Sequence, residues 1–239
     1  MNSFVNKTSD NRLAGKSFIV TGAGAGLGAA ICRRLNESGA RTYGIDIKWG
    51  SDVRDPAIWD AYKGWDIDGL INCAGINAND WFEDVSPFQL QNVMEVNAFS
   101  MVYAVQGLLP QLHKSSGVVV NIVSNAASMP MTSSLAYNMS KAAALMATKQ
   151  MAHELTKKYG ITVFSVSPNK LKGTEMSKQI EADVQRVRGW TPEFAADYQA
   201  KSLMHGLETP PEMVAEVIVN ALETGAWKYM SGTDIPVGK

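Results

Sequence analysis

Apolar and polar positions along this chain change period repeatedly. Short apolar blocks of strand length alternate with longer stretches whose apolar residues recur at helical spacing, so strands and helices are predicted in turn. Residues 16–22 (K-S-F-I-V-T-G) read as a buried strand, and a helix follows from about Leu27 to Ser38, ended by Gly39. Residues 41–46 form a second strand and 68–72 (D-G-L-I-N) a third. Residues 87–113 read as one long helix, 117–124 as a strand, and about 135–159 as a helix that stops at Gly160. Residues 161–167 give another strand, broken by Pro168, and 174–204 are polar, Met-containing helical material. A helix over 211–224 and a last strand near 228–235 finish the chain. Such alternation implies an α/β fold, a parallel sheet covered by helices on both faces. A polar leader over 1–14 precedes a single domain over 15–239, with no repeat or linker inside it.

Composition narrows the function classes. The chain has 239 residues, enough for one large α/β domain with a substantial core. Hydrophobic residues make up 46% and charged residues 19%, which fits a soluble globular protein. A formal net charge of -1 argues against a nucleic-acid surface. No apolar run is long enough to span a bilayer, and the polar start has no signal-peptide core. A cytoplasmic protein without membrane or nucleic-acid partners is therefore expected. Cys32 and Cys73 read as buried free thiols. His113, His153 and His205 form no ligand pattern, so no metal site is expected.

Two stretches carry candidate chemistry. In T-G-A-G-A-G-L-G, residues 21–28, glycines between a strand and a helix let the backbone approach a pyrophosphate, which the helix N-terminus would bind. Asp46 ends the next strand, where an acid accepts hydrogen bonds from the adenosine ribose hydroxyls and repels a 2′-phosphate. That favours NAD(H). Lys48 lies two residues on and is a cation within reach of a 2′-phosphate, so NADP(H) stays open. In the second stretch, Tyr137 and Lys141 share one helical face, thirteen and seventeen positions after Ser124. A phenol titrates near 10, and an adjacent ammonium lowers that value. The three together read as acid/base machinery for a carbonyl or an alcohol.

With both stretches in place, the chain resembles the short-chain dehydrogenase/reductase family, in its compact single-domain branch, from residue 16 to about 235. The family's T-G-x-x-x-G-x-G stands as Thr21, Gly22, Gly26 and Gly28, with Leu27 inside it. Ala25 occupies the position where the extended, epimerase-containing branch has glycine. The N-N-A-G motif stands as Asn72, Cys73, Ala74 and Gly75, with Cys replacing the second Asn. The catalytic Asn matches Asn97, and the Ser–Tyr–Lys set matches Ser124, Tyr137 and Lys141. The family's P-G with a following Thr is altered here. Pro168 is followed by Asn169, a residue able to take the left-handed conformation, and Thr174 sits one residue late. Only five residues separate Asp46 from the adenine-flanking D-V pair, Asp52 and Val53, so the helix the family fits between them is expected to be lost.

The resemblance implies a doubly wound Rossmann fold with a mainly parallel seven-stranded sheet, one strand being reduced to 52–53. It implies NAD(P)(H)-dependent interconversion of a ketone and a secondary alcohol, with Tyr137 as acid/base and Ser124 holding the substrate oxygen. Lys141 would lower the Tyr137 pKa and bind the nicotinamide ribose, and Asn97 would order a water. The adenine and phosphate side falls to Gly22, Gly26, Leu27, Gly28, Asp46, Asp52 and Val53. Asn72, Ala74 and Gly75 line the middle of the cofactor site, and Pro168 and Thr174 line its nicotinamide side. Substrate contacts are expected from Asn125 and Met131 beside Ser124 and Tyr137, under a lid at about 174–204 containing Met176, Trp190 and Met204. Those Met and Trp residues fit core packing equally well. Lys170, Lys172, Lys178, Arg186 and Arg188 suit a 3-oxoacyl carrier substrate, or a solvated face offset by Glu175, Glu181 and Asp183. Helices 87–113 and 135–159 resemble those that build the family's homotetramer. A nucleotide-binding sensor or scaffold, and a dehydratase or epimerase, are the competing functions.

Overall fold

The computed structural model describes residues 11–203 and 206–238. The first ten residues of the expected leader, and Met204 and His205, lie outside the described residues. Six strands make one sheet: β1 (Ser17–Thr21), β2 (Arg41–Ile45), β3 (Gly69–Asn72), β4 (Val118–Ile122), β5 (Thr162–Pro168) and β6 (Asp234–Val237). Their order is β2-β1-β3-β4-β5-β6, and every pairing is parallel. The helices are α1 (Gly26–Glu37), α2 (Pro87–Met94), α3 (Ser100–Gly107), α4 (Leu109–Ser115), α5 (Leu135–Tyr159), α6 (Glu175–Arg188), α7 (Pro192–Ser202) and α8 (Pro211–Thr224).

Every residue of β1, β3, β4 and β5 is buried, as a parallel sheet covered on both faces requires. Alternate strand residues serve opposite faces. Phe18, Val20, Ile71 and Val120 pack with Ile31 and Leu35 of α1 and with Val214 and Ile218 of α8. Ile19, Leu70, Val119 and Val163 pack with Ala104, Leu108, Leu112 and Ala152 on the other side. Each fully buried Leu or Ile contributes roughly 1.5–3 kcal/mol. Leu13 joins the first of these clusters, and its N–H donates to Ser38 O at 3.0 Å.

Several expectations need correction. No seventh strand forms among the described residues: 52–53 is a turn, in which the Asp52 carboxylate takes hydrogen bonds from the Arg54 side chain and N–H. Five residues cannot make a parallel crossover. One 3-10 turn, Ile47–Trp49, stands where the helix was expected to be lost, and β2 becomes the sheet edge. The chain instead crosses through a 3-10 helix, Pro56–Tyr62, whose Trp59 is fully buried. Tyr43, Trp65 and Tyr62 continue from it edge to face, with ring centroids 4.8 and 5.3 Å apart.

The stretch 87–113 is not one helix. A π turn, Glu95–Phe99, separates α2 from α3, and α4 restarts after Leu108 with Pro110 in its first turn. The last strand lies later than expected, because a 3-10 turn occupies Ala226–Tyr229. Asn169 does not take the left-handed conformation. Gly173, with φ +68, supplies that turn instead, directly before Thr174 caps α6. The stretch expected to be a substrate lid holds two helices, α6 and α7, with Gly189 at the end of α6.

Candidate active site

Strands β2 and β3 leave β1 on opposite sides, so the sheet's direction of progress reverses there. Ligands of open α/β sheets bind at the carboxyl ends of the strands beside such a reversal. The glycine loop follows β1 at this point. Gly22 has φ +67, and a Cβ there would sit 2.9 Å from the Ala74 backbone. A Cβ on Gly28 would fall 2.1 Å from Gly22 O. The loop therefore closes against itself and against the segment after β3 only with hydrogen at both positions. Thr21 Oγ1 accepts the N–H groups of Cys73 and Ala74, both at 3.0 Å. It is the backbone at 73 that is held, which explains why Cys can replace Asn there. Burial pushes the Cys73 thiol up to about 12, so it is not a nucleophile at neutral pH.

No side chain caps the N-terminus of α1, which, unlike those of α5 and α8, follows the glycine loop. Its first N–H groups are left for an anion, in a cradle that glycine keeps open. The residues thus fit a dinucleotide pyrophosphate. Asp46 is buried beside this cradle: Oδ2 accepts Gly24 N–H at 2.8 Å and Oδ1 accepts Lys48 N–H at 2.9 Å. Each oxygen keeps a further lone pair for a ribose hydroxyl. Asp52 sits at the turn described above, its carboxyl held below the usual range by Arg54, and Val53 is buried.

The acid/base candidates meet at the ends of β3 and β4. Lys141, in α5, is buried, and its Nζ donates to Ile122 O at 2.9 Å while lying 5.7 Å from the Tyr137 ring centre. Desolvation lowers the Lys141 pKa from 10.5 to about 8. Ser124 begins the 3-10 turn Asn125–Ala127, and its Oγ accepts Ala126 N–H at 3.2 Å. Burial pushes the Tyr137 phenol up, and the nearby Ser124 hydroxyl pulls it down. Lys141 sits against the Tyr137 ring and bonds Ile122 O.

Asn97 lies in the π turn and is fully buried. Its Oδ1 accepts Ile76 N–H at 2.8 Å, and its Nδ2 donates to Ile76 O and Ser140 Oγ, both at 2.9 Å. The extra residue of the π turn aims this amide at the segment after β3. A Cβ on Gly75 would come within 3.3 Å of Asn97 Oδ1, 3.7 Å of Lys141 Nζ and 4.0 Å of Met176 Cε. Gly75 is thus the floor on which Asn97, Lys141 and Met176 of α6 converge.

Asn72 Nδ2 donates to Asn121 Oδ1 at 2.8 Å, and Asn121 Nδ2 to Thr148 Oγ1 at 2.9 Å. This buried chain ties β3 and β4 to α5, so Asn72 acts from behind the site. Asn121 and Thr148 were missed from sequence, although a polar residue inside V-V-V-N-I was a signal. Ser140 was also missed, and Thr21 and Gly24 were read only as part of the loop motif, without their contacts to the segment at 73–74 and to Asp46. Gly24 could be found only from its packing on Asp46, 22 residues away. Pro168 ends β5, and Thr174 packs near Gly26, where a Cβ would lie 3.4 Å from Thr174 Cγ2. Asn125 is partly buried and Met131 is 44% exposed beside the loop before α5.

The C-terminal end of α6 is fastened to the segments before α2 and α5. Trp81 Nε1 donates to Val187 O at 2.8 Å, and Arg188 bonds Ser133 Oγ and Thr132 O while stacking 4.8 Å from the Trp190 ring. Trp190 also meets Phe194 and Tyr198 at 4.9 and 4.8 Å. It packs α6 on α7 rather than lining the candidate tetrad of Asn97, Ser124, Tyr137 and Lys141. A cavity of about 300 Å³ between these helices has Gln185, Gln199 and Leu203 in its wall but none of the tetrad.

A family model described as short chain dehydrogenase matches residues 57–185. The chain is 30% identical to a 2,3-dihydro-2,3-dihydroxybenzoate dehydrogenase of Bacillus subtilis over 198 residues, covering 72% of this chain and 75% of that one. It is 30% identical to the ketoacyl reductase HetN of Nostoc, covering 87% and 79%. Among solved structures, an aldohexose dehydrogenase of Thermoplasma acidophilum superposes with a TM-score of 0.80 at 25% identity, covering 95% and 94%. L-sorbose reductase of Gluconobacter frateurii, solved with NADPH and L-sorbose, shares the fold with a TM-score of 0.83 at 22% identity, covering 95% and 97%.

Proposed function

Because the chain belongs to the short-chain dehydrogenase family and is an NAD(P)-dependent oxidoreductase, we propose that it interconverts a ketone and a secondary alcohol, with NAD(H) preferred. The observation that carries the reading is the meeting of Ser124, Tyr137 and buried Lys141 beside Gly75. When bound, the nicotinamide supplies or accepts the hydride. Tyr137, whose phenol form burial favours, gives its proton to the carbonyl oxygen in reduction and becomes the phenolate; in oxidation the phenolate takes the alcohol proton and becomes the phenol again. The Ser124 hydroxyl donates to the same oxygen and stabilises charge developing there. Lys141, pinned by Ile122 O, places its ammonium against the Tyr137 ring and next to Gly75, where a nicotinamide ribose would lie. Asn97 is a positioning residue: with its amide spent on Ile76 and Ser140, it fixes the Gly75–Ile76 backbone.

Asp46 supports the NAD(H) preference, because a buried carboxylate at the ribose position repels a 2′-phosphate. A 3-oxoacyl substrate is a second reading. Arg188 favours it, having no carboxylate in ion-pair reach among the described residues. Against it, Lys170 pairs with Glu181 and Glu208, and Arg186 with Asp80 and Asp183. A homotetramer fits the apolar side chains exposed on α2 and α5, namely Phe88, Met139 and Met146. No helix among the described residues is long and apolar enough to cross a membrane.

The test is Tyr137→Phe, assayed with NADH against a panel of ketones. Turnover should fall at least ~100-fold, the lower range for a general acid, while NADH still quenches protein fluorescence. Near-normal turnover would refute the assignment.

A further inference from the structure

Lys48 stands two residues beyond Asp46, yet its ammonium is not free. Both oxygens of Glu175 hold it, at 3.0 and 3.1 Å, across 127 residues of sequence. Its backbone is fixed too, since its N–H donates to Asp46 Oδ1. Glu175 is the first residue of α6, directly after the cap Thr174 that packs near Gly26. Asp46 bonded to Gly24 in the glycine loop, Thr174 standing next to Gly26, and Glu175 paired with Lys48 thus form a ring of neighbouring groups. The ring surrounds the place where the adenosine ribose of a bound dinucleotide meets Asp46. Around it stand two carboxylates and one cation, and that cation is already engaged.

We propose that Glu175, through its hold on Lys48, is a coenzyme-discriminating residue of this chain. The inference rests on the dinucleotide reading above and assigns part of the NAD(H) preference to the lid. NAD(H) presents ribose hydroxyls to Asp46 and leaves the Lys48–Glu175 pair intact. The 2′-phosphate of NADP(H) must take Lys48 from Glu175, and it meets the Glu175 charge as well as that of Asp46. The pair is exposed, 48% for Lys48 and 74% for Glu175, so the exchange is modest in cost and graded in effect. Selectivity set in this way is adjustable at a residue that touches neither the hydride nor the substrate oxygen. It also makes NADP(H) binding and fastening of the start of α6 mutually opposed.

Dissociation constants of NADH and NADPH, read from protein fluorescence at low salt, test this in the full-length parent, E175Q, K48Q and the double variant. E175Q should tighten NADPH about three- to tenfold, from release of an exposed pair plus lost repulsion, and leave NADH within about twofold. K48Q should weaken NADPH and abolish the gain from E175Q in the double variant. An unchanged NADPH constant in E175Q overturns the inference. So does an equal gain for both coenzymes, or the same gain in the K48Q background. A parent that binds neither coenzyme overturns the dinucleotide reading itself, whereas normal NADH binding with unaltered selectivity removes only the role of Glu175.

Discussion

Replacing Lys141 by Met should change stability in a pH-dependent way, more favourably at neutral pH than at high pH. In the folded chain the Lys141 pKa is lowered from 10.5 to about 8 by desolvation. The unfolded chain therefore holds a proton that the folded chain gives up between these values, and stability rises with pH through that window. The lowered value corresponds to a penalty of about 3 kcal/mol at pH 7, falling to about 1 kcal/mol at pH 9.5. Met removes the penalty, but it also removes the donor to Ile122 O, at a cost of about 1–3 kcal/mol that is the same at both pH values. The absolute change at either pH is thus small and of mixed sign. The difference between the two is cleaner: the variant should gain about 2 kcal/mol more at pH 7 than at pH 9.5, relative to the parent. Urea unfolding followed by tryptophan fluorescence measures it, since other groups titrate alike in both proteins and largely cancel. A pH-independent difference between variant and parent would show that Lys141 is not held at a depressed pKa. The reading of a strained, buried ammonium would then fall.

Gly28→Ala should abolish NADH binding, because its Cβ would lie 2.1 Å from Gly22 O and force the loop open. Fluorescence titration at unchanged secondary structure by circular dichroism checks this, and parent-like affinity would refute the packing argument. Light scattering should give a homotetramer, the assembly that the exposed Phe88, Met139 and Met146 fit, and a monomer would refute it.

Much of the site was legible because its residues lie close together in sequence or at the ends of readable strands. The loop over 21–28 declares itself by glycine spacing between a strand and a helix. Tyr137 and Lys141 share a helical face at four-residue spacing, and Ser124 follows a run of buried strand residues. What was misjudged depended on competition between local preferences. The pattern over 87–113 is helical throughout, but Pro110 breaks it and the Asn97 amide draws an extra residue into a π turn to reach Ile76. At 52–53 the resemblance implied a reduced strand, yet a short connection cannot carry the chain to a new position in the sheet. Asn169 was a candidate for the left-handed turn, but Gly173 adopts it at lower steric cost.

By itself, the sequence determined the alternation of strands and helices, the phosphate loop, and the residue types of the acid/base set. These follow from periodicity and from local chemistry, which neighbours in sequence decide. Only the tertiary structure decided that Asp46 spends one lone pair of each oxygen on the backbone, that Asn97 clamps Ile76, and that Thr21 holds the segment at 73–74. It alone decided that Tyr137 answers to burial and Ser124, and that Lys48 answers to Glu175. The reason is physical. Hydrogen bonds, ion pairs and desolvation depend on which groups packing brings within a few ångströms, and residues 127 positions apart carry no trace of that meeting in their local pattern.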